Sequence, residues 1–294
     1  MPALPRLTGS DVVVAPPAGG PGNWAGGPSA VMLGSSVFLA YRLRRPIGSG
    51  RGYANVVARS SDGVHFTTVA EVTRERFGGA SLERPALVVT PEGRWRLYVS
   101  VATPGTKHWR VDLLEADEPG KLGDAPALTV LPGSAEIGVK DPVLHFDGLR
   151  WHLWASVHPL ETPEHADRMS TWYATSPDGV DWAWQGVALA PRPGHWDARG
   201  VRLSAVSVHE GTLTATYDGR ATAEENWEER TGTATGALGP DGLFGPLTAA
   251  SAAPCGSPHP PHGLRYLTTV PGRLYYEVTR PDGAHELRTE PTPD

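Results

Sequence analysis

The chain has 294 residues, among them 35 glycines, 29 prolines, ten tryptophans and one cysteine, Cys255. A formal charge of −6 offers nucleic acid or anionic lipid no global attraction, so neither is expected as a partner and any charged recognition is local. A lone cysteine excludes an internal disulfide or a CxxC site, and without an apolar leader or ~18 uninterrupted apolar residues the chain reads as cytoplasmic.

Glycine and proline punctuate apolar runs instead of forming one low-complexity tract, which predicts many short strands joined by turns. The first run, DVVVAP (11–16), is a strand with no partner nearby in sequence. GGPSAVML then carries a strand from Pro28, followed after a short turn by SSVFLAYRL from Ser35. A third strand leads to ARSSDGVHF (58–66), where Asp62-Gly63 suits a tight hairpin because glycine accepts positive φ and aspartate bonds the turn backbone. The pattern restarts at Pro85 in ERPALVVT, with RWRLYVSVA from Arg94 as second strand. It restarts again at Pro142 in KDPVLHFD, with LRWHLWASV from Leu149 and a second Asp-Gly turn in ATSPDGVDW (174–182). A more divergent unit pairs RLSAVSVHE (202–210) with TLTATYDGR (212–220). AEENWEER (223–230) is too short for a stable helix and is expected as an exposed loop or single turn. The last unit reads GLRYLTTV, RLYYEVTR from Arg273, then HELRTE, and lacks a fourth strand.

Pro28, Pro85 and Pro142 are evenly spaced by about 57 residues, a period that suits propeller blades and exceeds that of helical solenoids. The expected fold is therefore all-β: a single five-bladed β-propeller over 1–294, with four-stranded antiparallel blades. The blades fall at 24–79, 80–133, 134–194, 195–254 and 256–290, and residues 11–16 supply the missing strand of the last, closing the ring and removing two exposed edges. A closed ring needs no protein partner, so a monomer is expected. Two β-sandwiches of about 150 residues each would not explain the offsets.

In a propeller the first strands line the central channel, and its mouth is the default binding site. Aligned blade starts place Gly27, Arg84, Asp141, Arg202 and His262 at one level, with Glu83 and Lys140 beside them. One reading of these charges is a buried ion-pair network that fills the channel, since buried charges must be paired whatever their purpose.

The repeat, the segment KDPVLHFDGLRWHLWAS (140–156) and the S-x-D-G turns resemble the five-bladed glycoside hydrolases of families 43 and 32. The resemblance implies that Asp141 is the Asp-Pro aspartate that tunes or positions the catalytic groups. It also implies two further carboxyls, because glycoside cleavage protonates the leaving oxygen while a second carboxylate acts at the anomeric carbon. The matching positions read Gly26-Gly27 and Val201-Arg202, so another carboxyl is required. Glu83 is the first choice, ahead of Asp197 and Asp218. The expected set is thus Asp141 and Glu83 as catalytic carboxyls, with Arg84, Lys140, Asp197, Arg202 and His262 as ligand contacts and Trp24 and Trp196 as stacking walls for a sugar.

A second reading takes the arginines literally: Arg84 and Arg202, with Arg199, clamp a small anionic ligand in a binding propeller, lyase or isomerase. Trp95, Trp151, Trp154 and Trp172 alternate on strands and read as core. His195, His259 and His262 lack the fixed spacing of a metal site, so no metal is expected. No phosphate-binding or dinucleotide motif is present, and no cofactor is expected.

Overall fold

The computed structural model describes residues 2–293. They form 21 strands and three short 3-10 turns, with no α-helix among them. β1 is Asp11–Val14; the first unit follows as β2 (Trp24–Leu33), β3 (Ser36–Arg44), β4 (Gly52–Ser60) and β5 (Thr67–Thr73). In the second unit Pro85, which has no amide hydrogen to donate, falls between the two pieces of the first strand. These are β6 (Ser81–Leu82) and β7 (Ala86–Val89), both paired with β8 (Trp95–Ala102), which is followed by β9 (Trp109–Ala116) and β10 (Ala127–Leu131). The third unit is β11 (Ile137–Phe146), β12 (Trp151–Pro159), β13 (Ser170–Ser176) and β14 (Ala183–Leu189). The fourth is β15 (Gly200–His209), β16 (Thr212–Arg220), β17 (Arg230–Ala237) and the two-residue β18 (Thr248–Ala249). The fifth is β19 (Leu264–Val270), β20 (Arg273–Thr279) and β21 (His285–Pro291).

Each unit is an antiparallel meander in sequence order, as short strands joined by tight turns dictate. β1 pairs antiparallel with β21, so the unneighboured N-terminal run becomes the fourth strand of the last unit. A single parallel bridge, Trp24 to His285, joins that unit to the first. The first strands pack on one another in order: β2 on β7, β7 on β11, β11 on β15, β15 on β19, and β19 back on β2.

Apolar side chains run nearly continuously along the second strands, so each sheet carries apolar residues on both faces and buries them against its neighbours. Phe38, Leu87, Trp95 and Leu97 pack between units one and two; Tyr98, Val111, Leu153 and Ala174 between two and three; Trp154, Tyr173, Leu203 and Tyr217 between three and four. Val37, Tyr41, Tyr275 and Leu287 pack between the fifth unit and the first. Each such side chain contributes roughly 1.5–3 kcal/mol when fully buried, so the interfaces between units hold the molecule together.

The Asp-Gly turns join third to fourth strands, as expected. Gly63 and Gly179 both sit at φ 76°, where a side chain would be strained. Each turn docks on the preceding sheet: the Gly179 carbonyl accepts from Tyr98 Oη at 2.8 Å, and the Gly63 carbonyl from Tyr275 Oη at 2.9 Å. The AEENWEER segment is irregular but not merely solvent-facing, since it buries Glu229 to 2 % exposure.

Candidate functional site

The site begins with an irregularity shared by the first strands. Register slips between Gly26 and Ser29 in β2, Lys140 and Val143 in β11, Leu203 and Ala205 in β15, and Arg265 and Thr268 in β19. A bulge inserts a residue, bends the strand and re-aims its side chains, and here it does so within one residue of the same depth in each. The bulge residues Gly27, Asp141 and Tyr266 take left-handed φ of 61°, 54° and 56°. Residues at the slip pair with charged or hydroxyl residues of the second strands: Gly26 with Arg42, Lys140 with Ser156 and Arg265 with Glu277 just before it, and in β15 Arg202, one residue earlier, with Asp218.

These residues build a continuous network of buried charge. Arg42 bridges Glu83 and Glu277, and Arg265 bridges Glu277 (2.6 Å) and Glu229 (2.9 Å). Arg202 reaches Asp218 at 3.1 Å, Asp141 at 3.5 Å and Glu229 at 3.6 Å while its guanidinium lies 3.9 Å from the Tyr266 ring centroid. Arg220 closes on Glu229 from the other side. Such pairing is what permits these side chains to be buried, because an isolated ion in the interior costs several kcal/mol.

Above the network lies a cavity of about 340 Å³, lined by Glu83, Lys140, Arg202, Glu229, Arg265 and Tyr266 from its floor. Its walls come from loops that connect second and third strands: Arg51, Lys107, Asp167, Ala223, Asn226 and Trp227, with Trp109 and Arg199 from the strand ends. Burial lowers Lys140 to about 8, although Asp141 at 3.6 Å pulls it back up. Its Nζ lies 4.8 Å from the Trp109 ring centroid. Burial likewise depresses His158 to about 3, with the Lys140 charge adding to the effect, so this lining imidazole is neutral. Burial raises the Asp141 carboxyl, but Lys140, Arg202 and Arg84 outweigh it and hold it below the usual carboxylate range. Asp218 goes the other way: burial raises it despite Arg202 and the Tyr266 amide.

Of the residues expected from sequence, Glu83, Lys140 and Arg202 line this cavity, and Asp141 lies directly beneath Lys140 and Arg202. The others are placed elsewhere. Arg84 points to the opposite end of the first strands, donating to the carbonyls of Pro28 (3.2 Å) and Ser204 (2.7 Å) and lining a separate cavity of about 180 Å³. Trp24 is buried below the floor, stacked on His285 at 4.7 Å with Arg44 on its face. Trp196 stacks on Tyr217 at 5.4 Å within the fourth unit, and Asp197 is consumed there by Arg192 and Tyr217. His262 is exposed, bonding only Ser257 through Nδ1, because β19 starts at Leu264 and brings Arg265, three residues later, to the shared level. No cluster of three or more His, Cys, Asp or Glu among the described residues is arranged to hold a metal ion. None of their helical turns is long and apolar enough to cross a membrane.

Sequence reasoning missed Arg42, Arg220, Glu229, Arg265 and Glu277. Two signals were available: a charge interrupting an apolar second strand at matching depth in SVFLAYRLR, TLTATYDGR and RLYYEVT, and the acidic run before β17. Glu277 also explains the missing carboxyl of the first unit. A side chain at Gly26 would overlap the Glu277 carboxylate, which instead accepts from the Gly27 amide at 2.9 Å and Arg42 at 3.0 Å. A neighbouring unit thus brings a carboxylate to the place where the first strand has none.

No family model matches the sequence, and no curated protein matches it either. Solved structures match along nearly the whole chain. A thermostable family-43 glycoside hydrolase superposes with a TM-score of 0.69 at 15% identity, covering 96% of this chain and 92% of its own. The family-43 enzyme from Xanthomonas citri, complexed with xylotriose, gives 0.65 at 14% identity over 97% and 91% of the two chains. The β-1,2-mannobiose phosphorylase from Listeria innocua, in complex with β-1,2-mannobiose, gives 0.63 at 14% identity over 98% and 92%. The chain therefore has the all-β fold of the propeller-type glycoside hydrolases.

Proposed function

We propose that the chain is a single five-bladed propeller over 1–294, closed by the β1–β21 pairing, and that it acts on a glycoside at the cavity above the bulged first strands. The observation that carries this reading is the cavity itself. It lies where the first strands converge, has Trp109, Trp227 and Tyr266 in its lining for the apolar faces of a sugar, and includes in that lining a buried carboxylate, Glu83, and an ammonium, Lys140, that burial lowers to about 8. In this proposal Glu83 is the base or nucleophile and Lys140 supplies the proton to the leaving oxygen. Asp141, out of the cavity, is a positioning residue that holds Lys140 and Arg202 in place. That fits the tuning role implied for the Asp-Pro aspartate, while the acid differs in kind from the second carboxyl of the usual pair.

The test is turnover of a panel of aryl glycosides (arabinofuranoside, xyloside, mannoside and uronide) by the wild type, Glu83→Gln and Lys140→Met. At least one substrate is expected to be cleaved, with kcat falling roughly 10²–10⁴-fold in either variant while the fold persists by circular dichroism. Cleavage undiminished in both variants, or no cleavage of any glycoside, would remove the assignment.

A further inference from the structure

The charges that face the cavity are unbalanced. Seven cationic side chains line it against four carboxylates, and three of those four carboxylates are already engaged. Glu83 is taken by Arg42 and Arg44, Glu229 by Arg202, Arg220 and Arg265, and Asp167 by Arg199 at 2.8 Å. Glu164 is exposed at the rim. The remaining cations come from the first three units. Arg51, from the loop between β3 and β4, and Lys107, from the loop between β8 and β9, have no ion pair among the described residues, and Lys140 shares its one carboxylate, Asp141, with Arg202. Arg51 is half-buried, and its Nε has no hydrogen-bond acceptor; the Nε of the buried Arg44 has none either. Burial lowers both guanidiniums, Arg44 to about 8, and the Arg42 charge adds to each. Arg51, half-buried with an Nε left over, lacks a negative partner, since an unpaired buried charge is costly and an oxyanion accepts from guanidinium in the plane of the fork, while Lys107 stands exposed in the same lining.

We infer that the cavity recognises an oxyanion through Arg51 and Lys107, with Lys140 alongside, so that its ligand is an anionic sugar such as a uronide. This rests on the glycoside reading of the same cavity and specifies it. The same chemistry could be met by free inorganic phosphate beside a neutral sugar, and the two sources separate experimentally.

Calorimetric titration of the full chain with galacturonate, glucuronate, galactose, glucose and inorganic phosphate, at low and high salt, makes the test. Each uronate is expected to bind about tenfold or more tightly than its neutral counterpart at low salt, with the preference shrinking at high salt. Arg51→Met with Lys107→Met should abolish that preference and leave thermal stability intact, because neither side chain has a partner to lose. Phosphate binding that depends on the same two residues, without a preference for uronates, would keep the oxyanion site and assign its source to the free ion. Equal affinity for acidic and neutral sugars with no phosphate binding, or a preference that survives the double variant, overturns the inference. Turnover of neutral glycosides alongside that result would leave the glycoside reading standing; no binding and no turnover of any probe would bring down both.

Discussion

Lys140 and Glu229 show how one buried network serves two ends. Lys140 titrates near 8 because burial disfavours its ammonium and Asp141 only partly restores it. If it donates the proton, kcat/KM falls on the alkaline side with a midpoint near that value. Asp141→Asn removes the stabilising charge, so the midpoint moves to lower pH; a pH–rate profile reads it directly, and an unmoved limb would take Lys140 out of the proton transfer. Glu229 tests the structural end. Burial alone would raise its carboxyl, but Arg202, Arg265 and Arg220 outweigh it and hold it well below the usual range. A depressed carboxyl stabilises the fold above its unfolded pKa of about 4.3, and that contribution is lost as pH falls through the folded value. Glu229→Gln should cost about 3–5 kcal/mol at neutral pH, as buried guanidiniums lose their shared partner, and should flatten the loss of stability in acid. Urea denaturation across pH measures both; a cost under about 1 kcal/mol would mean that Asp218, Glu277 and Asp167 suffice to neutralise the three arginines.

At the scale of the strand and turn, the matched docking of Gly63 and Gly179 makes the repeat physical. A Cβ at Gly179 would meet Arg96 Nη1 at 2.6 Å and Tyr98 Oη at 3.0 Å, and at Gly63 the corresponding neighbours are Arg273 and Tyr275. Gly179→Ala therefore suffers a left-handed backbone, costing roughly 1–2 kcal/mol, and also pushes the turn off the sheet before it. Gly148→Ala has the backbone penalty alone, since nothing lies within 4 Å of its Cβ position. Thermal unfolding should rank Gly179→Ala below Gly148→Ala; equal melting temperatures would show that the docking contact is loose. The strands and these turns were legible because short apolar runs, Asp-Gly pairs and evenly spaced prolines are local signals. The site was legible only in part. Glu83 and Lys140 lie within two residues of the repeat's prolines, so their depth could be counted, whereas Glu229 sits in a loop whose path depends on Arg202, Arg220 and Arg265. Arg84 had the right sequence level and the wrong direction, and His262 stood three residues short of the level that Arg265 takes. The backbone around Pro85 leaves β pairing and sends Arg84 toward Ser204, and His262 precedes a strand that starts two residues later.

For the whole molecule, the proposed ring has one place where covalent order and spatial order part, at the junction of the last unit with the first. Besides side-chain packing and the contacts of Glu277 and Tyr275 with the first unit, the backbone holds it through the single β2–β21 bridge and the N-terminal segment. The segment does more than add β1. The amides of Arg6 and Leu7 donate to the Glu290 carboxylate at 2.6 and 3.1 Å, Ser10 Oγ accepts from Arg288 at 3.0 Å, and Leu4, Leu7, Val13 and Val14 pack on the cores of the last unit and its junction with the first. Deleting residues 2–16 would expose β21 as an open edge, a template for pairing with another chain, and strip four partly buried aliphatic side chains. A loss on the order of 3 kcal/mol or more follows, with concentration-dependent self-association visible in analytical ultracentrifugation. The first strands floor the proposed cavity, so its fate is informative: if the shortened chain stays monomeric and as stable as the full one, the β2–β21 bridge and the packing of Tyr275 and Leu287 against Val37 and Tyr41 close the ring unaided. If it associates and its ligand affinity falls as well, the N-terminal strand sets the spacing of the first strands, and so the width of the cavity they floor.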